Sequence, residues 1–220
     1  MNRTTLKKLL IGFFLAAFII LLGLFNAAKP RILVLHSYGN DSAWSQRINT
    51  GMQNILKKSR NPVTVKFHYL GLDSSQDTNR LRIAVNDAHR AISLQKPDLI
   101  IAVDDESNHH VAKNYVGKGS PKILFVATLL PPATYGYAGA AYVTGIEERL
   151  PLDAVREAIL TARKGKEARI AVLAMDDVTG RAELAQLNSY TWAPHRLMTT
   201  KAANSFKEWQ EFIKVMNQIV

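Results

Sequence analysis

The chain has 220 residues, 47% hydrophobic and 21% charged, with 12 glycines, a balance that fits a globular protein and excludes disordered and fibrous classes. It has no cysteine, which excludes disulfide staples, thiol chemistry and the acylated cysteine of a lipoprotein. The formal charge is +10, but Lys57, Lys58, Lys66, Arg80, Arg82, Arg163, Lys164 and Lys166 are scattered and lack interleaved aromatics. We therefore expect no nucleic-acid partner, and a solvated surface facing anionic lipid accounts for the charge.

The chain opens with Arg3, Lys7 and Lys8, followed by an uncharged apolar run from Leu9 to Phe25. A translocon would engage such a segment, keep its positive flank inside and export the body of the chain. As a helix the run is about 17 residues, roughly 25 Å, longer than a usual h-region and slightly short of a ~30 Å bilayer core. Residues 1–28 are therefore either a signal peptide cut after Ala28 or an N-terminal membrane anchor. In both cases the body is expected to be periplasmic or otherwise extracytoplasmic, tethered to the inner membrane by residues 9–25 if uncleaved.

Arg31 to Ser37 (RILVLHS) is a near-continuous apolar run, the pattern of a strand buried on both faces, and ends in the turn cluster Tyr38-Gly39-Asn40-Asp41. Ser42 as N-cap, with Trp44, Ile48, Met52, Ile55 and Leu56 at helical spacing, predicts a helix that stops at Lys57-Lys58. Val63 to Leu70 alternates and reads as a strand. Gly71 to Asp77 turns the chain, and Leu81, Ile83, Ala84, Ala88, Ala91 and Ile92 mark the next helix. The unit repeats with a strand at Asp98 to Val103, a short helix at Glu106 to Tyr115 and a strand at Lys122 to Ala127. Alternation at this interval predicts an α/β fold, a three-layer doubly wound parallel sheet with helices on both faces.

From Thr128 to Tyr142 the pattern lapses into a segment rich in Pro, Gly and Ala. It divides a first lobe, 30–128, from a hinge or crossover, 129–150, and a partial second lobe, 151–220. Val143 to Glu148 leads into a helix opened by Pro151. Arg169 to Met175 starts a second series: a strand, the Asp176-Asp177 loop, a helix from Gly180 to Tyr190, a weak strand from Arg196 to Thr200 and a last helix to Ile219. Two strands are too few to bury both faces of a sheet, so the second lobe is expected to be incomplete and the chain a fragment.

Several chemistries find no support in the motifs. No G-x-G-x-x-G or G-x-x-x-x-G-K-[ST] run follows a strand, which argues against dinucleotide and P-loop functions. No G-x-S-x-G elbow surrounds Ser37, so a hydrolase triad built on His36-Ser37 is not supported. His109 and His110 are adjacent on a helix and point about 100° apart, a poor arrangement for one metal ion. We expect no enzyme, cofactor or metal site.

RILVLHSYGNDSAWSQRINTGMQNIL, FHYLGLDSS, KPDLIIAVDDESNHHVAKNY, SPKILFVA and YVTGIEERLPLDAVREAI, in that order, resemble the substrate-binding proteins of ABC transporters in the type I periplasmic-binding-protein superfamily. They equally resemble periplasmic sensor domains of the same fold in membrane receptors. The resemblance spans roughly residues 30–180. It implies two hinged lobes with a small organic solute, such as an amino acid or nucleobase, held between them. Its implied partner is a membrane permease or, in the sensor case, a receptor's signalling module.

Ligands of open α/β sheets sit beyond the carboxyl ends of the strands. Candidate contacts are therefore Ser37, Tyr38, Ser42 and Trp44 after the first strand, Asp104, Asp105 and Asn108 after the third, and Thr128 after the fourth. Asp176 and Asp177 are their counterparts across the hinge. Tyr38 and Trp44 could sandwich a flat group, although Trp44 also fits as the first core residue of its helix. One of Asp104 and Asp105 is expected to cap a helix, and a cap role also competes at Asp176-Asp177. Tyr38, Asp105 and Thr128 should line one hollow. With part of the cleft wall missing, this form is expected to bind weakly or not at all.

Overall fold

The computed structural model describes residues 3–59, 61–72 and 77–219, so most of the turn expected between Gly71 and Asp77 lies outside the described residues. The apolar leader is one helix, α1 (Arg3–Ala27). Its segment Lys7–Ala27 has 21 residues, roughly 31 Å, is long and apolar enough to cross a membrane, and is not buried against the rest of the chain.

The first sheet has five parallel strands, β1 (Arg31–His36), β2 (Thr64–Tyr69), β3 (Leu99–Val103), β4 (Lys122–Thr128) and β5 (Val143–Glu147), in the order β2-β1-β3-β4-β5. Helices α2 (Ala43–Leu56), α3 (Thr78–Gln95) and α4 (Asp104–His110) occupy the crossovers. Alternate strand residues serve opposite faces. Leu33, Leu35, Ile100, Ala102, Ile123 and Phe125 pack with Ala88 and Ile92 of α3, while Val34, Ile101 and Val103 pack with Ile48 and Met52 of α2. Both faces need apolar residues, which explains the unbroken apolar runs. This is the layered α/β arrangement expected from the sequence.

The chain runs outward from β1 to β2, then crosses back to β3. That reversal opens a crevice beyond the carboxyl ends of β1 and β3. The helix expected from Glu106 to Tyr115 begins at Asp104, ends at His110 and gives way to a 3-10 turn, Ala112–Tyr115.

The sequence pattern puts Val143–Glu147 in the crossover, yet it forms β5, beside β4. Its residues alternate between half-buried and exposed, with Ile146 69% exposed, so no apolar run announces it. Gly145 admits it, because a Cβ there would stand 2.1 Å from the Phe125 carbonyl oxygen.

Beyond α5 (Leu152–Ala162), a second sheet pairs β6 (Arg169–Met175) with β7 (Arg196–Ala203) in parallel. Helix α6 (Val178–Ser189) follows β6 and α7 (Phe206–Ile219) follows β7. At Gly180 a Cβ would lie 2.1 Å from the Met175 carbonyl oxygen, so this glycine lets the first turn of α6 sit on the tip of β6. Gln186 ties α6 to the crossing segment. It accepts from the Leu150 N–H at 3.0 Å and donates to the Leu129 carbonyl at 3.2 Å and the Glu148 carbonyl at 3.4 Å.

Candidate functional site

A cavity of about 410 Å³ lies where the strand tips of the two sheets meet. The five-stranded sheet and its helices contribute Tyr38 after β1, Leu72 after β2, Asp77, Thr78 and Leu81 at the start of α3, and Glu106, His109 and His110 on α4. The two-stranded sheet and its helices contribute Asp176, Asp177, Val178, Thr179 and Arg181 around the start of α6, with Asn204 after β7.

Contacts between α4 and the first turn of α6 close one side. The Glu106 carboxylate accepts from the Val178 N–H at 3.3 Å and pairs with His110 Nε2 at 2.8 Å. Burial alone would raise the Glu106 pKa, but the His110 and Val178 hydrogen bonds hold it below its usual value. Asp104 Oδ1 accepts from the Thr179 hydroxyl at 3.3 Å. Burial raises the Asp104 carboxyl to about 7, with the Asp105 charge adding to the rise. Burial, then Asp104, also pushes the Tyr38 phenol upward. Burial first, then Lys113 and His110, lower the His109 pKa, and its Nδ1 is buried with no hydrogen-bond partner among the described residues. After β6, Asp176 pairs with Arg181, and Asp177 caps α6 by accepting from the Gly180 N–H at 2.7 Å.

Of the residues singled out in the sequence, Tyr38, Asp176 and Asp177 line this cavity, and Asp104 lies behind Tyr38 and Thr179. The rest have other surroundings. Ser37 is buried, donating to the Val103 carbonyl at 3.0 Å and accepting from the Ser107 N–H at 2.9 Å, so it satisfies the first turn of α4 in place of an aspartate cap. Asp105 and Thr128 do not share the hollow expected with Tyr38, because both turn into the first lobe. The Asp105 carboxylate accepts from the N–H groups of Leu129 and Leu130, each at 3.0 Å, and from the Tyr135 hydroxyl. Thr128 is fully buried.

Asn108 is likewise committed to the interior. It donates to the Asp104 carbonyl at 2.8 Å and accepts from the Tyr137 hydroxyl at 2.8 Å. Ser42 holds the N-cap position of α2 without a side-chain cap bond. Trp44 is 39% exposed, neither a core residue nor part of the cavity lining, whereas its neighbour Ser45 is buried. Sequence reasoning missed Glu106, Thr179, Arg181 and Asn204 as lining residues and weighed His109 and His110 only for metal. Their signal was position alone, since each lies in a helix after a strand tip or in the loop that leads to one.

No family model matches the sequence, and no curated protein matches it. Two solved structures share its fold. One is the ligand-free, open structure of a substrate-binding protein with adhesive properties from Clostridium difficile, at a TM-score of 0.53 and 16% identity, covering 85% of this chain and 62% of that one. The other is a sugar-binding protein of a sugar ABC transporter from Bacillus halodurans, at a TM-score of 0.53 and 11% identity, covering 84% of this chain and 62% of that one. At these identities the likeness shows the fold. The chain spans 62% of the length of each of these structures.

Proposed function

We propose that the body of this chain is an extracytoplasmic solute-binding protein that holds a small organic ligand between its lobes and delivers it to an ABC-type membrane permease. One observation carries the reading: the strand tips of two parallel sheets converge on one cavity of about 410 Å³. Carboxyl ends of open α/β sheets are where this architecture binds ligands, and the volume suits a compact molecule such as an amino acid or nucleobase. The two proteins of like fold are described as substrate-binding and sugar-binding, one of them in an open form, which supports the same class of role.

In this reading Tyr38 covers a flat or apolar part of the solute, beside Leu72 and Leu81. Asp176, Asp177, Glu106, His109, Thr179 and Asn204 offer its hydrogen bonds. Helix α1 serves as export signal or membrane anchor, with the body outside the cytoplasm. The cavity is read as a binding site and not as a centre of turnover.

Amide chemical-shift mapping on the isotope-labelled chain detects even weak binding and tests the proposal. Among amino acids, nucleobases and sugars, one class should move the amides of Tyr38, Thr179 and Arg181. Tyr38→Ala should weaken that solute by at least about tenfold, or ~1.4 kcal/mol. Shifts confined to residues remote from the cavity, or none with any class, would overturn the reading.

A further inference from the structure

Asp104 joins β3 to α4 with a backbone φ of 74°, a left-handed conformation that is strained for a residue with a Cβ. Only 5% exposed, it sits where the lobes meet. Its carboxylate accepts from the Asp105 N–H at 2.6 Å and from the Thr179 hydroxyl at 3.3 Å, and the Tyr38 phenol stands beside it. All three groups are neutral.

Among the described residues, no cationic side chain pairs with it. On α4 the nearest are Asp105 and the Glu106–His110 pair, with His109 one residue before His110. Tyr135 and Glu148 stand beyond Asp105, and Asp177 and Glu183 belong to the α6 side. Arg181 is directed to Asp176. A carboxylate buried where Thr179 of α6 meets the tip of β3, among neutral groups and other carboxylates, is stabilised by holding a proton. Separating the lobes returns water to it, and the proton leaves.

We propose that closing the two lobes takes up a proton at Asp104, so that acid favours the closed form and a rise in pH opens it and releases the solute. The inference rests on the reading of the cavity as a solute site between lobes that move. The elevation of the Asp104 pKa to about 7, caused first by burial, agrees with it. By linkage, the form that binds the proton more tightly gains population as pH falls.

The natural chain has no cysteine, so spin labels can be placed cleanly on the full chain in detergent micelles. Arg82→Cys on α3 and Lys207→Cys on α7 are exposed sites on opposite lobes. Label-to-label distances, measured between about pH 4 and about pH 8.5, should shift to a shorter population in acid with a midpoint at or below about 7. Asp104→Asn should keep the short distance throughout. Thr179→Val leaves Asp104 in place but removes a donor to its charged form, so it should move the midpoint to higher pH; this variant decides the matter if Asp104→Asn does not fold.

Distances insensitive to pH, or an unchanged response in Asp104→Asn, overturn the proposal. A response that depends on Asp104 while no solute alters any distance supports the proton coupling and removes the solute reading. Distances moved by a solute but not by pH do the reverse.

Discussion

Asp104 and Asp105 are chain neighbours placed in opposite circumstances. The Asp105 carboxylate meets three donors from the segment after β4, so removing it strands buried N–H groups. Asp105→Ala should therefore cost at least about 3 kcal/mol, read from urea unfolding. Asp104 is buried with a raised pKa, and the sign reverses. Its contribution to stability is fully present below the unfolded value of about 4 and is lost as pH rises through the folded value of about 7. Asp104→Asn should flatten stability against pH across that window and make the protein more stable than the parent at about pH 8, by an amount on the order of a few kcal/mol. Asparagine tolerates the left-handed backbone, so the comparison isolates the charge. None of this division was legible in the sequence, because the strand-tip position of a residue does not say whether its side chain faces the cleft or the lobe's interior. Ser37, Asp105, Asn108 and Thr128 face inward, while Tyr38, Asp176 and Asp177 face the cavity.

At the scale of elements, apolar runs made strands legible: RILVLH and LIIAV form the buried β1 and β3, and RIAVLAM forms the half-buried β6. Strand β5 was not legible, because an edge strand with Ile146 in solvent needs no run, and its place depends on a close approach at Gly145 that only the assembled sheet reveals. Two glycines separate packing from propensity. Gly180→Ala should push α6 off the tip of β6, lower the thermal midpoint by several degrees and weaken solute binding, since Asp177, Thr179 and Arg181 move with that turn. Gly51 lies exposed in the middle of α2 with no atom within 4 Å of a Cβ placed there. Gly51→Ala should stabilise by about 0.5–1 kcal/mol and leave binding unchanged. Calorimetric unfolding of the pair, with solute titrations, checks both directions.

Across the whole molecule, the cavity exists because α6 is held at its first turn by α4 and at its last turns by the crossing segment. Its first turn is held by Asp104 and Glu106, through Thr179 and Val178. Its last turns are held by Gln186, whose amide serves the Leu129 and Glu148 carbonyls and the Leu150 N–H. The first attachment lies at the cavity and the second on the crossing segment; in the proposed reading the first opens with the cavity and the second serves as its pivot. Gln186→Ala removes one accepted and two donated hydrogen bonds to backbone groups without touching the cavity lining, so it should loosen the pivot and leave the site chemistry intact. Hydrogen exchange should then quicken by about tenfold or more in α6 and β7 but not in β1, β3 or β4, because an attachment worth ~1.4 kcal/mol is lost from the second lobe only. Equal acceleration in both lobes would mean that Gln186 supports the fold as a whole and that the pivot lies elsewhere.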